Sequence, residues 1–155
     1  MISVNQRARA ETYRDAGIQH AALAIEVYDL QTYAPANYLA GLAVECMLRA
    51  YRTMIDPEFD SRHDLEELFR LAQFGDVVPL NDAVRITAAL ERVVGLWSND
   101  HRFLDDVALR KRWAKRRLYS GVKGDFLKER VRQLVHASNL IVNAGAARWK
   151  TYFKN

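Results

Sequence analysis

The chain has 155 residues, is half hydrophobic and 27% charged, and contains seven glycines, three prolines and one cysteine. This mixture excludes a disordered or fibrous chain, argues against a long-loop all-β protein, and fits one globular domain spanning residues 1–155. The net charge of +4 conceals a split: residues 1–100 carry nine arginines, no lysine and fifteen acids (−6), whereas residues 101–155 carry fourteen basic and four acidic residues (+10). Such asymmetry fits either a basic face for an anionic partner or one half of the chain neutralising the other.

With Cys46 alone, a disulfide framework and a cysteine-rich zinc module are both ruled out. The first fourteen residues alternate charge and polarity and build no apolar signal core. The longest charge-free stretch, residues 30–44, is interrupted by Gln31, Pro35 and Asn37 and falls short of the roughly 20 apolar residues of a membrane span. A soluble, cytoplasmic, reduced protein is expected, without a membrane association.

Taken in order, nearly every segment has helical period. Over residues 7–30, Ala16, His20, Leu23 and Val27 repeat at i, i+4, i+7 and i+11, which predicts a long helix with that face inward. Pro35 suits the first turn of a second helix, which runs to about Met54. Its small residues Ala36, Ala40, Ala43 and Ala50, with Met47, let a neighbour approach closely, so the two helices should form an antiparallel hairpin. A short third helix covers residues 63–74, capped by Asp64. A fourth runs over residues 80–97, through Val84, Ala88, Leu90, Val94 and Trp97. Residues 98–103 read as a turn in which Trp97 and Phe103 fill core and His101 is exposed. Asp105 or Asp106 caps a fifth helix ending near Tyr119, and Asp125 opens a last helix to about Trp149. No strand alternation appears. An all-α, up-and-down bundle of about five helices is the expected fold.

Three segments in order carry a family likeness. The first is the string Tyr38-Leu39-Ala40-Gly41-Leu42-Ala43-Val44-Glu45, continued by Leu48-Arg49-Ala50-Tyr51. It is followed by Arg62-His63-Asp64-Leu65, and then by Trp97 through Arg102-Phe103. The combination resembles the HEPN family of helical domains over roughly residues 21–149. The resemblance implies a bundle of four to five helices, often a symmetric homodimer. It also implies a setting in bacterial defence or toxin–antitoxin modules, with a small nucleotidyltransferase as a possible partner. Catalytic members are metal-independent ribonucleases whose signature is an arginine and a histidine on a late helix with roughly four to six residues between them. Here Arg130 and His136 are the late-helix match, with Val131 where catalytic members usually carry a polar residue. The family-like placement of Glu45, His63 and Arg102 suggests a polar cluster joining the second helix, the third helix and the turn after the fourth.

The residue types suit the chemistry. Cleavage of RNA through its 2′-hydroxyl needs a proton-transferring group that works near neutral pH, and histidine is the residue for that. It also needs a fixed cation for the growing phosphorane charge, which arginine's forked donors supply. On one helix Arg130 and His136 project about 120° apart, whereas Arg132, His136, Asn139 and Asn143 share an arc of about 60°. That stripe is either a solvated polar face, a surface for RNA or a nucleotide, or a polar dimer seam. Lys111, Arg112, Lys115 and Arg116 share one side of the fifth helix, a strip suited to phosphates or simply to water. No metal or cofactor is implied: residues 121–124 are too short for a phosphate-binding glycine loop, and no His–carboxylate spacing suits a metal. Cys46 reads as inert core. The two functional readings are a ribonuclease using His136 with Arg130 or Arg132, and a non-catalytic binding or adaptor domain.

Overall fold

A computed structural model describes residues 1–59 and 64–154. Among these residues the secondary structure is helical throughout: α1 (Val4–Asp29), α2 (Tyr33–Ile55), α3 (Leu65–Leu71), α4 (Leu80–Leu96), α5 (Asp106–Lys115) and α6 (Phe126–Tyr152). Two 3-10 turns, Phe74–Asp76 and Asn99–Phe103, join them. Six α-helices thus stand where about five were expected, and the all-α bundle is confirmed.

The caps follow the sequence closely. Ser3 Oγ accepts from the Gln6 backbone N–H (3.0 Å), and the Gln6 side chain donates onward to the carbonyls of Thr53 and Met54, tying the start of α1 to the end of α2. Asp64, Asp105 and Asp125 each accept backbone N–H bonds at the starts of α3, α5 and α6. Asp106 does something different. Its carboxylate accepts from the backbone N–H groups of Tyr33 (3.2 Å) and Ala34 (2.6 Å), so an acid on α5 caps α2. Thr32 precedes α2 and supplies no side-chain cap of its own.

The first two helices form the expected hairpin, and α6 packs across α2, α4 and α1. The small-residue seam of α2 is buried: Ala36, Ala40, Ala43, Met47 and Ala50 are each 0% exposed. The fully buried face of α1 is Ala10, Gly17, Ala21 and Ala24; of the expected stripe, Ala16 and His20 are half-buried, Val27 packs half-buried against the core, and Leu23 is exposed. Close approach selects that face. A Cβ on Gly17 would sit 3.0 Å from the Ala43 carbonyl oxygen, a contact that the larger stripe could not match. The same correction applies to α4. Its buried face is Ile86, Ala89, Leu90, Val93 and Leu96, while Val84 is 81% and Leu80 91% exposed. At the far end Tyr51 is fully buried, donates to the Gly145 carbonyl (2.7 Å) and meets Phe74 and Trp149 edge-on.

The fifth helix ends at Lys115, short of Tyr119, because Arg117 turns into the left-handed region (φ 57°). The chain then loops back to Asp125. This early stop determines the role of Arg130, described below.

A candidate site in the groove between the fourth and sixth helices

The stripe on α6 faces outward. Arg132, His136 and Asn143 are exposed and Asn139 is half-buried. Asn139 donates to the Val135 carbonyl (3.0 Å), a local contact within the helix. Arg132 forms a two-pronged pair with Glu129 (2.7 and 2.9 Å). The Arg132 hydrogen bond draws the Glu129 carboxyl down to about 2. Arg132 is therefore already matched by a carboxylate.

Arg130 is also engaged, and differently from the expectation. Its Nε donates to the Leu118 carbonyl (2.9 Å), its Nη2 to the Ser120 carbonyl (3.0 Å) and its Nη1 to Gln133 Oε1 (3.2 Å). Because α5 stops early, carbonyls in the following loop lack helical donors, and Arg130 supplies them. Its guanidinium clamps the α5–α6 connection, away from the direction in which His136 projects.

What lies beside His136 comes from α4. His136, Arg85 and Arg92 line one hollow of about 230 Å³ between α4 and α6, floored by Ala89, Ala137 and Leu140. A second hollow of about 220 Å³ continues it, sharing Arg85 and Leu140 and adding Asn143 and Arg148. The acid in this groove is Asp82, 3.7 Å from Arg85. Arg148 Nε donates to the Val77 carbonyl. Among the described residues neither His136 nor Arg92 makes a hydrogen bond or ion pair. An imidazole and two guanidinium groups lining one hollow with an apolar floor can hold a phosphate and move a proton beside it. Arg85 and Arg92 were missed from sequence. Their signal was faint: two arginines at i and i+7 on an amphipathic helix read as solvated charge until the packing angle of α4 on α6 is known.

The basic strip on α5 is exposed at Lys111, Arg112, Lys115 and Arg116, while Leu109 and Trp113 beneath it are fully buried. Arg112 pairs with Asp100 (2.7 Å) and Arg116 donates to the Gly95 carbonyl (2.6 Å), so both fasten α5 to the end of α4. Lys111 and Lys115 make no ion pair among the described residues.

Of the expected polar cluster, Glu45 is 2% exposed and pairs with Arg49 (2.8 Å), and His63 lies outside the described residues. Arg102 is exposed, its guanidinium 4.5 Å from the centre of the Phe103 ring. Phe103 is itself 74% exposed rather than core. The buried residue of this turn is His101, 4% exposed rather than exposed as expected, because the 3-10 turn swings position 101 inward against Trp113. His101 Nδ1 lies 2.9 Å from Asn37 Oδ1, and Asn37 Nδ2 donates to the Leu96 carbonyl (3.3 Å). The Ser98 backbone N–H also reaches His101 Nδ1 (3.3 Å), closing the turn onto the ring. Burial chiefly, with the charges of Arg112 and Arg116, lowers His101 to about 4, against a smaller upward pull from Asp100. Trp97 is buried as expected, its indole N–H donating to the Tyr38 carbonyl (3.1 Å).

Burial, with the adjacent Glu45 charge, raises the Cys46 thiol to about 11, which keeps it protonated and unreactive. Among the described residues no group of three His, Cys, Asp or Glu side chains is placed to share a metal ion, and no helix is long and apolar enough to cross a membrane. The geometry defines an all-helical protein with a cationic, histidine-bearing groove. No family model matches the chain, and neither a curated protein nor a solved structure matches it.

Proposed function

We infer that this chain is a HEPN-like domain acting on RNA, with the α4–α6 groove as its site. The observation that carries this reading is the convergence of His136 with Arg85 and Arg92 in one hollow. In this reading His136 accepts the proton of a 2′-hydroxyl. The 2′-oxygen forms a bond to the adjacent phosphorus, and the 5′-oxygen leaves after taking up a proton. Arg85 and Arg92 hold the phosphate and offset its growing charge. They take the place that the sequence pattern gave to Arg130. Lys111 and Lys115 attract the strand from outside. A second copy lying along α4 would cover the exposed Leu80 and Val84 and bring two His136 side chains toward one cleft, as in the homodimers of that family.

Single-stranded RNA incubated with the protein in excess EDTA is then cut, leaving 2′,3′-cyclic phosphate ends. His136→Ala lowers the rate at least about 100-fold with its circular dichroism unchanged. Cleavage at an unaltered rate in that variant removes His136 from the site.

One observation favours a second, non-catalytic reading. Among the described residues nothing hydrogen-bonds to His136, whereas a catalytic imidazole is usually oriented by a second group. A binding or adaptor domain, taking up RNA, a nucleotide or a nucleotidyltransferase, needs no such orientation. Salt-sensitive RNA binding without cleavage would select it.

A further inference from the structure

A second cationic cleft lies on the other side of α6. Arg7 and Arg14 of α1 face Lys150 and Lys154 near the end of the chain, across a space of about 730 Å³. The carboxylate lining it is Glu11, which stands 4.0 Å from Arg14. Arg14 also meets Asp15 (2.8 Å), which lies outside the cleft lining. Asp15 and Glu11 offset Arg14, and the cleft's remaining cations, Arg7, Lys150 and Lys154, make no ion pair among the described residues. Such an excess of positive charge in one cleft favours an anion there.

Two further features shape the cleft. Trp149 forms part of its wall and is 3% exposed, yet its indole N–H has no acceptor among the described residues. A buried, unpaired donor is an uncommon feature that a structure normally avoids. The Arg14 guanidinium lies 5.4 Å from the centre of the Trp149 ring, and Arg7 donates weakly to the Phe153 carbonyl (3.4 Å). Arg14 is held by Asp15, which takes both its Nε and its Nη2 (2.8 Å), whereas Arg7 keeps other donors available.

The spacing indicates what kind of anion fits. Arg7 and Arg14 are two helical turns apart, about 10 Å along α1, while Lys150 stands on the last turn of α6 and Lys154 just past its end. The charges thus come from both sides of the cleft. A single carboxylate or phosphate would meet only part of them, whereas several linked phosphoryl groups would meet both sides at once. Guanidinium forks and ammonium groups are the donors that phosphate oxygens take best.

We propose that the cleft between α1 and the last turns of α6 binds an oligophosphate, either free or as the 5′-triphosphate end of an RNA strand. The site is distinct from the His136 groove: Lys150 lies fourteen residues along α6 from His136, about 21 Å. It therefore stands or falls independently of RNA cleavage there.

The probe is inorganic tripolyphosphate, titrated into the full chain at physiological ionic strength and followed by calorimetry and by the Trp149 indole N–H resonance. Saturable one-to-one binding is expected, with that resonance shifted. Lys150→Glu combined with Lys154→Glu should weaken binding at least tenfold. Lys123→Glu combined with Lys128→Glu, an equal charge change at exposed positions elsewhere, should change it less than twofold. A 5′-triphosphate RNA that binds more tightly than the same strand with a 5′-hydroxyl assigns the RNA end as ligand. Equal binding of the two strands assigns the free oligophosphate. Absence of saturable binding, or equal weakening by both charge reversals, overturns the proposal.

Discussion

Burial against Trp113 and Asn37 holds the His101 imidazole neutral, lowered from 6.5 to about 4. The unfolded chain binds this proton near pH 6.5 and the folded one only near 4, so the linked stability is complete above pH 6.5. It is lost as the pH falls toward 4. The loss should be about 2–3 kcal/mol by urea denaturation, and His101→Gln should flatten the profile in that window. Asp100 and Glu129, lowered from 3.8 and 4.5 to about 2 by their hydroxyl, arginine and amide partners, keep their stabilisation across most of that window and lose it only as the pH falls toward 2. The sequence held one clue to this histidine. Asn37 lies within the small-residue seam of α2 and is 0% exposed; a buried amide there requires a partner. Nothing in the residue spacing says that the partner comes from position 101 rather than 102, because that depends on the phase of a five-residue 3-10 turn. His136, by contrast, is exposed as the angular pattern of α6 indicated.

Helix existence and capping were largely legible at the scale of elements; helix rotation was not. α1 has no dominant apolar face, and in α4 Leu80 and Val84 offer apolar residues off the main one. In α1 the small-residue face turns inward because α2 comes within contact of Gly17. In α4 the stripe of Ile86, Leu90 and Val93 is buried, leaving Leu80 and Val84 outside. Only packing decides which face turns inward, and packing is non-local. The same holds for Asp106, whose neighbour Asp105 caps α5 while Asp106 reaches across to α2. Replacing Asp106 by Ala should cost about 1–2 kcal/mol through the lost cap of α2, whereas a role confined to α5 would leave stability nearly unchanged. Glycine positions offer a second test. A Cβ on Gly41 would lie 2.0 Å from Trp97 Cδ1, and one on Gly145 would lie 2.7 Å from Met47 Cγ and Sδ. Trp97 is fixed by its bond to Tyr38, whereas Met47 can change rotamer. Gly41→Ala should therefore lower stability by about 3 kcal/mol or more, and Gly145→Ala by about 1 kcal/mol, measured by thermal or urea unfolding.

The charge asymmetry of the whole molecule resolves into three parts. Arg112 pairs with Asp100 of the acidic half, while Arg116 donates to the Gly95 backbone carbonyl. Arg130 and Arg132 serve the α5–α6 connection and Glu129. The cationic surfaces with a bearing on function are Lys111 and Lys115 on α5, the cleft at Lys150 and Lys154, and the α4–α6 groove, where two of the cations come from the acidic half. Net charge along the chain therefore pointed to an anionic partner but to only part of the surface concerned. If Lys111 and Lys115 contact RNA phosphates, reversing both to Glu should lower the slope of log K against log salt by about 1.4, roughly 0.7 for each phosphate contact of a single strand. An unchanged slope would place the strand elsewhere.

The groove itself is tested most directly with a single-stranded RNA carrying 2′-O-methyl groups, which lacks the hydroxyl that attack requires and so stays intact. Titrated into the protein, it should shift the ring Cε1–H resonance of His136 saturably while leaving that of buried His101 in place, and Arg92→Glu should abolish the shift. A strand that binds saturably and leaves His136 unmoved would contradict the assignment of the α4–α6 groove as the site.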